Sequence, residues 1–160
     1  METLYVETTI VGNVAGRLLK DPSAAAQQQM TRDWWALAPS HFEIVVSQLV
    51  LDECGGGDPS AAQERLDVIK NHRLLAITQE CRELAANLIV AKAVPASEPR
   101  DALHIAIASV HRVNYLLTWN FRHIANAVLR HQIEFVIREA GFDPPVICTP
   151  QELPLEDIDE

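Results

Sequence analysis

Short apolar runs alternate with longer amphipathic stretches from one end of the chain to the other. The runs are Thr3-Leu4-Tyr5-Val6, Phe42-Glu43-Ile44-Val45-Val46-Ser47, Leu74-Leu75-Ala76-Ile77, Tyr115-Leu116-Leu117-Thr118-Trp119 and Val146-Ile147-Cys148-Thr149. Each is too short for an ordinary helix and is bounded by polar or turn-forming residues, so each predicts a strand. Between them, apolar residues recur at helical spacing over 10–20, 24–37, 60–71, 79–93, 99–109 and 124–140, with a short apolar helix over 48–53. Strands separated by helices throughout predict parallel pairing through right-handed crossovers. The expected fold is therefore one α/β domain over 1–150, three layers (α/β/α) around a mainly parallel sheet of about five strands, followed by an acidic tail over 151–160.

The stretch Glu98-Pro99-Arg100-Asp101-Ala102-Leu103-His104-Ile105-Ala106-Ile107-Ala108-Ser109 carries the strongest signal. Pro99 suits a first helical turn, where its missing N–H would have no partner. The Ala/Leu/Ile run behind it predicts a helix packed hard against the sheet. Asp101 is the carboxylate within that helix, in the first turn, where the helix dipole favours negative charge. The strand that follows ends in Asn120-Phe121-Arg122-His123, polar groups at a strand's carboxyl end. In open parallel sheets, sites form at those ends. Glu7 closes the first strand, Glu53 lies on the short helix after the second, and Asp101 and Asn120 flank the fourth. The topology therefore allows all four to gather at one sheet edge. Three carboxylates with an amide make a hard, oxygen-rich pocket suited to Mg²⁺ or Mn²⁺, which relieves their mutual repulsion and activates water.

Composition narrows the class. The chain has 160 residues, 48% of them hydrophobic, enough for a sizeable core. No window approaches the apolar length of a membrane span, and the N-terminus lacks the basic and apolar regions of a signal peptide. Cys54, Cys81 and Cys148 are odd in number, scattered and without a CxxC pair, which predicts reduced thiols in a cytoplasmic protein and no structural zinc. A net charge of −9 argues against a non-specific nucleic-acid binder. Yet Arg112, Arg122, Arg130 and three histidines cluster between His111 and His131, while the tail holds Glu152, Glu156, Asp157, Asp159 and Glu160 without a base. Two roles are open for that tail: a solubilising extension, or a segment that folds over the 111–131 region and competes with an anionic ligand there. The triple glycine at 55–57 is followed by no Lys-Ser/Thr and preceded directly by no strand, so it predicts a flexible turn and not a phosphate cradle. A flavodoxin-like small-molecule enzyme has little support for the same reason.

Leu4-Tyr5-Val6-Glu7-Thr8-Thr9, Ser47-Gln48-Leu49-Val50-Leu51-Asp52-Glu53, and Asp101-Ala102-Leu103-His104-Ile105-Ala106 with Leu117-Thr118-Trp119-Asn120-Phe121 occur in the order and at the spacing of a known family. Across residues 3–150 the chain resembles the PIN-domain nucleases, most closely the toxins of bacterial VapBC-type toxin–antitoxin modules. The resemblance implies a metal-dependent endoribonuclease of RNA phosphodiesters, with Glu7, Glu53 and Asp101 as Mg²⁺ or Mn²⁺ ligands and Asn120 as a fourth catalytic position. It implies that Thr8 or Thr9 contacts a ligand carboxylate or a phosphate, and that Arg122 pairs with the RNA backbone. It also implies an antitoxin partner and a homodimer; Trp34 and Trp35 would anchor either a core or that interface. The chain departs from the family in carrying Glu7 where Asp is usual, and Asn120 and His123 where a further acid commonly sits. Each position has a structural alternative: Glu7 as a helix cap, Asp52 in place of Glu53, Asn120 as a turn residue, and His104 and His123 as hydrogen-bonded histidines. A PIN-fold binding module without catalysis is the alternative function.

Overall fold

The most central strand is also the most buried. In the computed structural model, which describes residues 1–156, β1 (Glu2–Val6) pairs with β2 (Phe42–Ser47) on one side and β4 (Tyr115–Leu117) on the other. β3 (Arg73–Leu75) and β5 (Val146–Cys148) complete the sheet, in the order β3-β2-β1-β4-β5 with every pairing parallel. Leu4, Tyr5 and Val6 are wholly inaccessible on both faces, as a parallel strand covered by helices on both sides must be. The helices divide into two groups. α1 (Thr8–Val14), α2 (Pro22–His41), α3 (Gln48–Cys54) and α4 (Pro59–Ile69) contact one another, and α5 (Gln79–Val90), α6 (Pro99–Val110) and α7 (Ala127–Glu139) form the second layer. The expected three-layer architecture is present, and its sheet is parallel throughout.

Strand order reverses at β1. The chain steps from β1 through β2 to β3, then returns to lay β4 on the far side of β1. A crevice opens at the carboxyl ends of strands flanking such a reversal. Here that place lies between Val6 and Leu117, whose carbonyl accepts the Glu7 N–H at 3.1 Å.

Several element boundaries differ from the periodicity, each for a local reason. The predicted helix over 10–20 starts earlier and stops at Val14. Arg32 of α2 donates to the carbonyls of Asn13 and Gly16, and Gln28 brackets Arg17 and Leu19, so residues 15–20 become a loop strapped to α2. Gly16 sits at φ +87°, a left-handed conformation open to glycine. α2 is longer than expected because Asp21 caps it and Pro22 occupies its first turn; Pro39 in its last turn does not stop it, and Phe42 N–H still reaches Ala38 O. β4 ends two residues early because Thr118 and Trp119 turn toward Glu7 and Thr9. α7 begins at Ala127, after an Asn126 cap, while the N–H groups of Ile124 and Ala125 are drawn to Asn120 O.

The tryptophans serve this chain's own core. Trp34 stacks on Phe42 and donates its indole N–H to Leu153 O at 2.6 Å; Trp35 meets His72 edge-on. The start of the tail therefore lies along α2, with Leu153 and Leu155 against the core and Glu156 O beside His41. It does not cover the 111–131 region, the course the competition model required. The rest of that tail, with Asp157, Asp159 and Glu160, lies outside the described residues. All three cysteines are free and buried, and burial pushes the thiols of Cys54 and Cys148 up to about 11 and about 12.

Candidate active site

Glu7 follows β1 directly and caps α1. Its Oε2 accepts from Thr9 N at 2.9 Å, from Thr9 Oγ1 at 2.6 Å and from Thr118 Oγ1 at 3.1 Å. The side chain is 4% exposed. Burial raises its pKa above the usual carboxylate value, opposed by the His104 ring and by the hydrogen bonds from Thr9 and Thr118.

Glu53 lies in the last turn of α3. Its neighbour Asp52 is exposed and takes a hydrogen bond from Gln48 on the same helix, which removes it as the competing assignment. Glu53 Oε1 accepts from Thr8 Oγ1 at 2.9 Å and from His104 Nε2 at 2.5 Å. Partial burial pushes its pKa up, yet the bond and charge of His104, the Thr8 hydroxyl and the Arg100 cation together outweigh it and bring it below the usual range. Two adjacent threonines thus hold two different acids: Thr8 grips Glu53 and Thr9 grips Glu7. Of the two partners expected for these hydroxyls, carboxylate or phosphate, the structure places both on carboxylates.

Asp101 sits in the first turn of α6, as expected from Pro99. Its Oδ2 lies 2.9 Å from His123 Nδ1. Because positions three apart share a helix face, Asp101 stands one turn before His104, the residue that bonds Glu53. Helix α6 therefore carries one acid and holds a second. The three residues whose ligand atoms all fall within 4.8 Å of one another are Glu98, Asp101 and His123; Glu7, Glu53 and Asp101 do not close to that spacing among the described residues. Glu98, overlooked in the sequence, precedes Pro99 and so stands three residues from Asp101, an i,i+3 offset that could have flagged it.

Asn120 holds its own turn. Its Oδ1 accepts the backbone N–H groups of Arg122 and His123 at 3.2 and 3.1 Å, and its carbonyl takes those of Ile124 and Ala125. It builds the turn that delivers His123 to Asp101. Arg122 is exposed at the rim, and Arg100 is exposed near enough to Glu53 to depress its pKa. Two other bases of the 111–131 region are spent locally: His111 bonds Ala76 O and Arg112 lies over the Phe142 ring.

The donor set fits a hard divalent cation on one shared feature. Each of the three acids has one oxygen anchored by the protein and one that takes no hydrogen bond among the described residues: Glu7 Oε1, Glu53 Oε2 and Asp101 Oδ1. None of those free oxygens is sealed off, since among the described residues the buried side-chain atom left without a partner is Arg130 Nε. Magnesium needs oxygen ligands and only one or two direct carboxylates, keeping water in its other positions.

No family model and no curated protein matches the chain. Solved structures share its fold, two of them as follows. One is VapC20 of Mycobacterium tuberculosis, described as a sarcin–ricin loop cleaving toxin, 16% identical with a TM-score of 0.57 over 78% of this chain and 95% of that one. The other is the VapBC2 structure of Rickettsia felis bound to a DNA fragment from its promoter, 15% identical with a TM-score of 0.58 over 92% and 98%. At such identities the likeness establishes a PIN-type, VapC-like fold. No helix among the described residues is long and apolar enough to cross a membrane.

Proposed function

We propose that this chain is a metal-dependent endoribonuclease, the cytoplasmic toxin of a toxin–antitoxin pair, that hydrolyses RNA phosphodiesters with Mg²⁺ or Mn²⁺ held by Glu7, Glu53 and Asp101. The observation that carries this is the pairing of anchored and free oxygens on all three acids, set at the strand-order reversal of a VapC-like fold. The likeness to a sarcin–ricin loop cleaving toxin and to a VapBC2 structure favours RNA as substrate and an antitoxin as partner. The bound cation supplies a water of lowered pKa and charge for the phosphate. The chain's own residues do the rest. Thr9 and Thr118 hold Glu7, Thr8 and His104 hold Glu53, and His123 holds Asp101, so the acids need no reorganisation when substrate arrives. Arg122 and Arg100 at the rim meet the RNA backbone. A homodimer is also proposed, on the resemblance alone, since both tryptophans are used within one chain.

A binding module without catalysis is the second reading. Its motive is Asn120, which brings no charge after β4 and spends its side-chain oxygen on the turn. Cleavage of a structured RNA by metal-stripped protein with Mn²⁺ restored separates the two. Cleavage lost in Asp101→Asn supports the nuclease; RNA binding without cleavage by wild type supports the module.

A further inference from the structure

We infer that His104 is a positioning residue for Glu53, and that it fixes which Glu53 oxygen faces the cation through a buried hydrogen-bond chain ending on Tyr5 and Ser47. This assignment rests on the metal-dependent reading above and adds a residue to it. The buried face of α6 is otherwise Ala102, Ile105, Ala106, Ile107 and Ala108, with two polar exceptions. Ser109 spends its hydroxyl on Ile105 O within the helix. His104, 1% exposed, instead reaches out of it in both directions. Its Nδ1 lies 2.8 Å from the Tyr5 hydroxyl, which lies 2.8 Å from Ser47 Oγ, which in turn takes the Val50 N–H. Its Nε2 meets Glu53.

Tyr5 and Ser47 are fully inaccessible. Apolar residues of similar shape would fill this space without the cost of burying three polar groups, a cost offset only when every member is bonded. Every member is bonded here, and the chain has one end that reaches solvent, Glu53, whose side chain is 22% exposed. An ionised carboxylate only accepts, so Nε2 carries a proton. The Tyr5 hydroxyl both donates and accepts, so it satisfies Nδ1 whichever form the ring takes, and the grip on Glu53 is the same. With Thr8 on the same oxygen, Glu53 is left one free oxygen, Oε2. Since Asp101 rides the same helix one turn earlier, α6 also sets the spacing between the two acids.

The test compares His104→Leu, which removes the N–H, with His104→Gln, which keeps one near the Nε2 position, and with Tyr5→Phe. Mn²⁺ affinity of metal-stripped protein is read by calorimetry, folding by thermal melting, and the His104 ring in metal-free wild type by ¹⁵N–¹H correlation spectra. The expected results are a protonated Nε2, a ~10–100-fold loss of Mn²⁺ affinity in His104→Leu, the range typical for groups that orient metal ligands, and substantial recovery in His104→Gln. Wild-type affinity in a cooperatively melting His104→Leu, equal weakness of the Gln and Leu variants, or an unprotonated Nε2 each overturns the assignment. Should His104→Leu fail to fold, Tyr5→Phe takes its place: severalfold weaker binding supports the assignment and unchanged binding overturns it. A wild type that binds no Mn²⁺ contradicts the metal-dependent reading itself, which distinguishes the two failures.

Discussion

Thr9 Oγ1 lies 2.6 Å from Glu7 Oε2 while accepting the Trp119 N–H at 2.8 Å, so one hydroxyl joins the acid after β1 to the end of β4. Replacing it with valine keeps the shape, strands the Trp119 N–H and leaves Glu7 Oε2 with two of its three donors, Thr9 N and Thr118 Oγ1. Thr9→Val is expected to destabilise the protein by about 1–3 kcal/mol, the cost of leaving partly buried polar groups unpaired. It should also push the Glu7 pKa further up and weaken Mn²⁺ binding. Thr9→Ser restores the hydroxyl and should restore both properties, as chemical denaturation and calorimetry will show.

Glu7 and Glu53 depart from the ordinary carboxylate value of 4.5 in opposite directions, up for Glu7 and down for Glu53. As pH rises through that value the unfolded chain releases the Glu7 proton while the folded one retains it, so this residue's contribution to stability falls until folded Glu7 ionises too. Glu53 does the reverse: its contribution is present above the ordinary value and is lost as pH falls through its depressed folded pKa. In metal-free protein, Glu7→Gln should therefore raise the melting temperature relative to wild type as pH rises above the ordinary carboxylate value, the gain levelling off once folded Glu7 ionises. A gain of about 2–4 °C corresponds to ~1 kcal/mol at this chain length. Glu53→Gln should lower it at pH 8. Melting curves across pH give both signs.

Asn120 is expected to act on the fold before it acts on chemistry. Asn120→Ala removes the acceptor for two backbone N–H groups and should lower stability by about 1 kcal/mol. Asn120→Asp keeps the acceptor and should melt near wild type. If Asn120 served only the chemistry, Asn120→Ala would melt like wild type.

The described start of the tail, residues 151–156, is a strap on α2. Ending the chain after Pro150 removes the Leu153 carbonyl that pairs the buried Trp34 indole and withdraws Leu153 and Leu155 from the core. A loss of at least ~1–3 kcal/mol follows from the unpaired indole alone. RNA affinity, measured by anisotropy across salt concentrations, should not rise as a competing tail would require.

Much of this was legible in the sequence where the signal is local. Short apolar runs between helical periods marked every strand, and Pro99 with Asp101 marked the start of α6. Glu7, Glu53 and Asp101 each stand at a carboxyl-end position on the correct elements. What was illegible depends on distant partners. The end of α1 is set by Arg32, which grips the Asn13 carbonyl from α2, and by Gln28, which holds the loop beyond at Arg17 O. His104 could not be told from an ordinary core histidine, because its partners Glu53 and Tyr5 are 51 and 99 residues away. Asn120 reads equally as site or turn until the N–H groups it accepts are seen. Trp34 and Trp35 suggested a surplus for an interface only while Leu153 and His72 were absent from view.

The most direct measurement is Mn²⁺ binding by calorimetry to metal-stripped wild type and to Asp101→Asn. Binding by wild type that is lost in Asp101→Asn, with both proteins melting cooperatively, is the predicted result. Equal binding by the two, or none by wild type at millimolar Mn²⁺, would contradict a cation site built on Glu7, Glu53 and Asp101.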